Sequence, residues 1–338
     1  MRAAVLEELR KPLAIRDVQV PEVSGDEVLI ETKFCGICGT DLHIVEGRGY
    51  VPELPHILGH EPSGVVAKVG DAVGDLKTGD RVVPYLFLTC GKCWYCQNGR
   101  DSMCSRLRGI TGVTTNGAFA EFFKAPARNL FPLPANVPFD IGALTADAVI
   151  TSVHAVYDRG NITSVSSGAV VGSGGVGQVI IQLLKDRGVR VAAVSRSEAK
   201  LEAARKLGAE AVWQAGDARI GVLSRGFSRE GIDVVFDCVG SSESMEDALA
   251  MVKRCGRIVM VGEEDSPFPA SSTLIAQHEL EIVGSRNGSR SNMEAALDFL
   301  ARGVVKPLIS DFFSLEEANE AIERVRRGAS GRVVLRLG

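Results

Sequence analysis

The chain predicts an α/β protein of two domains, a β-rich part joined to a doubly wound parallel sheet. Three observations carry this. At 338 residues the chain is long enough for two cores. Residues 1 to about 140 read as short β-branched or alternating runs broken by Gly and Pro. From Ala169 onward, apolar strands alternate with helical patterns, as right-handed βαβ units require.

In the first part, strands are expected at residues 3–6, 27–31, 64–69 and 80–84, each followed by turn residues. Residues 131–138 are too rich in proline for a helix or a central strand and read as a connector. Residues 169–171 form an apolar strand, 177–187 a helix and 189–194 a strand. Helix formers fill 197–207 and stop at Gly208. Segments 232–237, 245–253, 257–261 and 281–283 continue the alternation. Helices at 291–302 and 315–326 precede a final strand at 332–337.

Composition narrows the function classes. A hydrophobic share of 45% with 24% charged residues is ordinary for a soluble globular protein. A formal charge of −4 gives no support for nucleic acid or an anionic membrane surface as partner. No apolar run approaches the ~20 residues of a membrane span, and Glu7 and Glu8 stand where a leader would carry its apolar core. Eight cysteines, four of them closely grouped, suit metal thiolates in a reducing, cytoplasmic setting better than disulfides.

The group is Cys90, Cys93, Cys96 and Cys104, spaced C-x2-C-x2-C-x7-C. Four thiolates this close converge on one ion, and tetrahedral sulfur coordination favours zinc. Ordinary buried or bridged cysteines are the plainer alternative. An iron–sulfur cluster is another, although the bacterial ferredoxin run has a shorter last spacing followed by Pro. A closed four-sulfur shell leaves no position for substrate, so such a zinc is structural and the chemistry lies elsewhere.

Gly172-Ser173-Gly174-Gly175-Val176-Gly177 follows an apolar strand and opens a helix. That context turns a weak glycine pattern into a dinucleotide fingerprint. Gly172 allows the tight turn, Gly174 lets the backbone approach a pyrophosphate, and Gly177 permits close helix–strand packing. Gly175 and Val176 open the helix whose N-terminus meets the phosphates. The next strand ends in Val194-Ser195-Arg196, where an NAD site usually carries an acid for the ribose diol. A hydroxyl and a guanidinium suit a 2′-phosphate, so NADP(H) is expected in preference to NAD(H). The alternative is a solvated surface arginine beside a non-selective site.

Cys38-Gly39-Thr40-Asp41-Leu42-His43 and Gly59-His60-Glu61-Pro62-Ser63-Gly64 supply a second ligand set. A Cys, a His and an acid are the mixed donors of a catalytic zinc with one position open. With these residues the chain resembles the zinc-dependent medium-chain alcohol dehydrogenases over essentially its whole length. Gly59-His60-Glu61-x2-Gly64-x5-Gly70-x2-Val73 matches the family's zinc signature, and the cysteine tetrad matches its structural-zinc lobe, about residues 88–106.

The resemblance implies a GroES-like catalytic domain from residues 1–148 and 283–338, with a Rossmann domain at 149–282. It implies two zinc ions per subunit. Cys38 and His60 bind the catalytic one, Glu61 enters or leaves its shell, and Asp147 aligns with the fourth ligand. An Asp in place of Cys leaves more positive charge on the metal; the plainer role for Asp147 is a helix cap or an outer partner. Thr40 and His43 fall on the family's proton relay, Thr40 taking the substrate proton and His43 releasing it, while Asp41 accepts a hydrogen bond from His60. Thr40 is also an alternative cap for the helix beginning near Asp41. Thr151 and the strand end Val261-Gly262 match nicotinamide contacts, and Arg332 matches an arginine that reaches the pyrophosphate, an ordinary surface arginine being the plainer account. Thr40, Leu86 and the 47–50 loop contribute to the substrate pocket. Cys35, Cys238 and Cys255 are expected as small buried residues, and His56, His154 and His278 as structural or exposed.

The implied reaction is reversible oxidation of a primary or secondary alcohol to an aldehyde or ketone by a homotetramer, with a small molecule as the partner. Three alternatives stay open. They are a polyol, sugar or threonine-type dehydrogenase, a zinc-free enoyl or quinone reductase, and a cofactor-binding structural protein without activity. Cys38 and His60 speak against the second, and the whole Cys38, Thr40, His43 and His60 set speaks against the third.

Overall fold

Six strands in one wholly parallel sheet form the heart of the second unit. Ser167–Val171 lies inside it, with Arg190–Ser195 and then Ala211–Gln214 on one side. Ile232–Asp237, Val252–Met260 and Glu281–Gly284 follow on the other side. The strand order therefore reverses next to Ser167–Val171, which is where such sheets bind ligands. Ala169, Val170, Ala192 and Ala193 are fully buried. Continuous apolar runs of this kind belong to strands covered on both faces.

The computed structural model describes residues 1–163, 166–264 and 266–338. The chain divides into Met1–Ile150 with Ser289–Gly303 and Pro307–Gly338, and Thr151–Gly288 with Val304–Lys306. The expected boundary at 282/283 falls inside Glu281–Gly284. That strand pairs from Arg257↔Glu281 to Met260↔Gly284, so the second unit continues to Gly288.

In the first unit, Glu27–Ile37 is the hub of a seven-stranded sheet. It pairs antiparallel with Glu61–Val69, Phe122–Pro126 and Arg332–Arg336. Val333↔Ile37, Val334↔Gly36 and Leu335↔Cys35 are in register, which explains why the two chain ends belong to one unit. Arg81–Pro84 and Leu130–Pro132 extend the sheet on one side, and Ile309–Ser314 closes the other. The proline-rich connector thus begins in a strand, but an edge strand, where the missing N–H of Pro132 is tolerated. Arg2–Leu6, Ala14–Asp17 and His56–Ile57 make a smaller antiparallel sheet. Among the described residues, no helix is long and apolar enough to cross a membrane.

Candidate active site

Strand pairing puts Glu61 opposite Gly36, two residues before Cys38, and so brings the two predicted ligand segments together. Asp147 arrives from a π-helical turn, Thr145–Val149, a wide turn often found at functional sites. One donor atom each from Cys38, His60, Glu61 and Asp147 lies within 4.8 Å of the others. Gly36 makes room for this. A Cβ there would run into the Glu61 carboxylate.

Asp41 organises the His60 side. Its Oδ1 lies 3.2 Å from His60 Nδ1, a charge contact that misses hydrogen-bond alignment, and its Oδ2 accepts from the Cys38 N–H at 2.9 Å. The helix Gly39–Val45 is capped by Cys38, whose sulfur accepts from the Thr40 N–H at 3.5 Å. Cys38 therefore takes the capping role considered for Thr40. The Thr40 hydroxyl stands 3.6 Å from the Cys38 sulfur, and His43 follows one turn later, half-buried.

Arg332 has partners that the sequence did not predict. Its guanidinium is buried and forked onto Glu61, with Nε donating at 3.0 Å and Nη2 in closer contact. Nη2 also donates to Asp147 Oδ2 at 3.0 Å. The arginine matched to the pyrophosphate is thus engaged by two carboxylates of the metal pocket. A planar fork suits paired carboxylate oxygens, and buried acids need a buried cation.

Burial pushes the Glu61 carboxyl up to about 7 in spite of Arg332. Burial also opposes ionisation of Asp147, yet His60 and Arg332 hold it down to about 2. For His60, burial favours the neutral ring, but Asp41 and Cys38 keep its pKa well above the usual range. His60 Nε2 is 4.0 Å from Asp147 Oδ2, with the Cys38 sulfur in the same cluster. One sulfur, one nitrogen and carboxylate oxygens within 4.8 Å of one another form a donor set that fits zinc.

The second cluster is the predicted tetrad. All four cysteines are unbridged, and their donor sulfurs lie within 4.8 Å of one another. Cys93 Sγ is 3.5 Å from Cys96 Sγ and 3.8 Å from Cys104 Sγ, far beyond the ~2.05 Å of a disulfide. Backbone N–H groups of Cys90, Cys93 and Arg106 point at these sulfurs from 3.3–3.4 Å, as thiolates prefer. The Cys96 N–H and its neighbours hold the Cys93 thiol down to about 5, while burial and the adjacent sulfurs push Cys96 up to about 12. The sulfurs compete for negative charge, and a tetrahedral dication would relieve that competition. Cys96→Ala is expected to release one zinc equivalent and lower the melting temperature, because metal binding there is folding free energy. Turnover below the melt should persist. Unchanged stability with lost turnover would contradict a structural site.

The glycine turn sits at the carboxyl end of Ser167–Val171. Gly172 adopts φ +90°, which a side chain would strain, and a Cβ on Gly177 would strike the Gly172 carbonyl. Gly174 caps the helix Gly175–Asp186, and nothing lies within 4 Å of where its Cβ would stand. Ser195 ends Arg190–Ser195 and is buried, whereas Arg196 beside it is exposed. Thr151 is buried and accepts from Asn287 Nδ2 at 3.4 Å. The Val261 N–H donates to the Asp237 carbonyl at 2.8 Å.

A family model described as the alcohol dehydrogenase GroES-like domain matches residues 24–135, and one described as zinc-binding dehydrogenase matches 175–302. The chain belongs to the zinc-type medium-chain alcohol dehydrogenases. It is 36% identical over 347 residues to an alcohol dehydrogenase of Geobacillus stearothermophilus, with all of both chains covered. A sorbitol dehydrogenase of Bacillus subtilis (strain 168) is 33% identical over 332 residues, 96% of this chain and 93% of the relative. The crystal structure of an NAD-dependent alcohol dehydrogenase superposes with a TM-score of 0.94 at 31% identity, covering all of both chains.

Some expected bystanders sit as foreseen. His56 is buried, His154 Nδ1 is 2.8 Å from Asp158, and His278 ends a helix half-buried. Cys35 is buried and Cys238 half-buried, but Cys255 is exposed and donates to Glu279 at 3.4 Å. The expectation of burial fails because Cys255 lies between the paired residues Val252 and Arg257, where the strand register shifts. Sequence reasoning missed Gly36 and the partners of Arg332. A glycine within a strand pattern, marking close approach, was the available signal for the first.

Proposed function

We propose that the chain is a zinc-dependent alcohol dehydrogenase that interconverts a primary or secondary alcohol with its aldehyde or ketone, using NADP(H) in preference to NAD(H). The observation that carries this reading is the convergence of Cys38, His60, Glu61 and Asp147 within 4.8 Å. Cys38, His60 and Asp147 would hold the metal, with Glu61 able to join them. Zinc, when bound, supplies a Lewis acid that acidifies a substrate hydroxyl. A bound nicotinamide would be the hydride donor or acceptor. Thr40 takes the hydroxyl proton, and His43, one helical turn on, passes it to solvent. Asp41 fixes the His60 ring through the 3.2 Å contact. Gly172, Gly174 and Gly177 receive the pyrophosphate, and Thr151 and Val261 border the nicotinamide. The same reading takes the protein as a cytoplasmic homotetramer, which sedimentation would check for assembly.

Ser195 and Arg196 support NADP(H), because a hydroxyl and an exposed guanidinium replace the usual acid at that strand end. Arg196→Ala should lower kcat/KM for NADP about tenfold or more relative to NAD, the worth of a charge-assisted hydrogen bond. Equal losses for both cofactors, or NAD preference in the unaltered protein, would remove the assignment. A second reading, a polyol or sugar dehydrogenase, is favoured by the acid at position 147 and by the sorbitol dehydrogenase relative. Rates on aliphatic alcohols against sorbitol, glucose and threonine separate the two.

A further inference from the structure

Asp237 ends the strand Ile232–Asp237 and is fully buried, yet none of the assigned roles uses it. Its carboxylate is held by neutral donors. Oδ1 accepts from the Val239 N–H at 2.9 Å and the Gly240 N–H at 3.1 Å, and Oδ2 accepts from the Ser244 hydroxyl at 2.9 Å. Its main-chain carbonyl accepts from the N–H groups of Val261 at 2.8 Å and Gly262 at 2.9 Å. One residue therefore ties the turn after its own strand, the first turn of the helix Ser242–Met251, and the end of the strand Val252–Met260.

The tied segments leave almost no slack. Gly240 has φ +85°, and a Cβ on it would meet the Gly262 carbonyl. A Cβ on Gly262 would strike the Val239 backbone, and one on Gly172 would come within 2.6 Å of Val239 Cγ2. The 238–240 turn is thus wedged between the glycine turn of the dinucleotide fingerprint and the loop carrying Val261. A buried carboxylate without a cation is an expensive way to brace a turn. Its position at the carboxyl edge of a parallel sheet is where such sheets receive ligands.

We propose that Asp237 is a positioning residue for the nicotinamide half of the dinucleotide, acting through the Val239–Gly240 turn and the Val261–Gly262 backbone. This rests on the dinucleotide-binding reading above. Asp237 holds the Val239–Gly240 and Val261–Gly262 backbone through four N–H groups, whereas it meets the helix turn whose Glu243 feels the Arg196 charge through the single Ser244 hydroxyl. The two halves of the cofactor should therefore respond differently when Asp237 is changed.

The test is calorimetric binding of NADP, NAD and the fragment 2′,5′-ADP, which carries the adenosine half alone, to the full-length protein and to Asp237→Ala, with thermal melts in parallel. Asp237→Ala should bind NADP about tenfold more weakly, the scale of one or two lost buried hydrogen bonds, while 2′,5′-ADP binding stays within about twofold. Asp237→Asn, which keeps one acceptor for the turn, should fall in between, and so should Ser244→Ala, which removes only the Oδ2 donor. If Asp237→Ala does not fold, these two variants carry the same comparison. Equal weakening of NADP and 2′,5′-ADP makes Asp237 merely structural and overturns the proposal, as does unchanged NADP affinity. If the unaltered protein binds neither dinucleotide, the dinucleotide reading itself falls and takes the proposal with it. A loss confined to the variants' NADP binding leaves both standing.

Discussion

Replacing Cys38 with alanine is expected to release one zinc per subunit and lower turnover about a thousandfold or more, since a Lewis acid worth several kcal/mol goes with the metal. Cys38 carries three loads in the structure. Its sulfur belongs to the four-donor cluster, the same sulfur caps the helix Gly39–Val45 at the Thr40 N–H, and its backbone N–H is held by Asp41. Alanine removes the first two and keeps the third. The cap is a weak sulfur acceptor at 3.5 Å, so stability should fall by no more than about 1 kcal/mol. The measurement is metal content per subunit with turnover and denaturant unfolding on the same preparation. Full metal content with normal turnover would remove the catalytic-site assignment. The tetrad should keep its own zinc in this variant, giving half the metal rather than none.

Arg332→Met should destabilise the metal-free protein by about 3–5 kcal/mol, the usual penalty for stranding one member of a buried ion pair. The guanidinium is the counter-charge that the geometry supplies to the fully buried Glu61 and also to Asp147. Its removal leaves two acids facing each other. The effect depends on pH in a determined direction. Glu61 in the folded chain titrates at about 7 rather than 4.5, so its ionisation weakens the fold as pH rises through that window. Without Arg332 the carboxyl moves higher still. The deficit should therefore be larger at about pH 8 than at about pH 5.5, where a neutral carboxyl is less costly to bury. Pairing Arg332→Met with Glu61→Gln should recover a large part of the loss, as a double-mutant cycle in urea would show. A deficit independent of pH and of Glu61 would mean that Arg332 acts by packing alone.

Legibility followed distance along the chain. The tetrad spans 15 positions and the glycine turn six, so each displays its ligand or turn chemistry within one short window. The parallel sheet was equally readable, because strands buried on both faces are apolar throughout. Ile309–Ser314 was not, since it is half-buried and mixes Asp and Ser with its aromatics. The contact of Arg332 with the metal pocket was not legible either. Its carboxylate partner Glu61 is 271 residues away, and nothing in the residues around 332 distinguishes an arginine turned toward a cofactor phosphate from one turned toward an acid. The pairing of Arg332–Arg336 with Glu27–Ile37 brings the arginine to Glu61. Cys255 was misread for a similar reason, because a register shift is a property of two strands and not of one.

That last strand has a consequence for how the protein comes into being. Because Arg332 enters the pocket on one of the final strands of the chain, a ribosome-bound intermediate lacking it holds Glu61 and Asp147 without their cation. Closing so long a loop is entropically late. The charge balance of the pocket is thus set by strand topology, through an arginine 271 positions from its carboxylate partner.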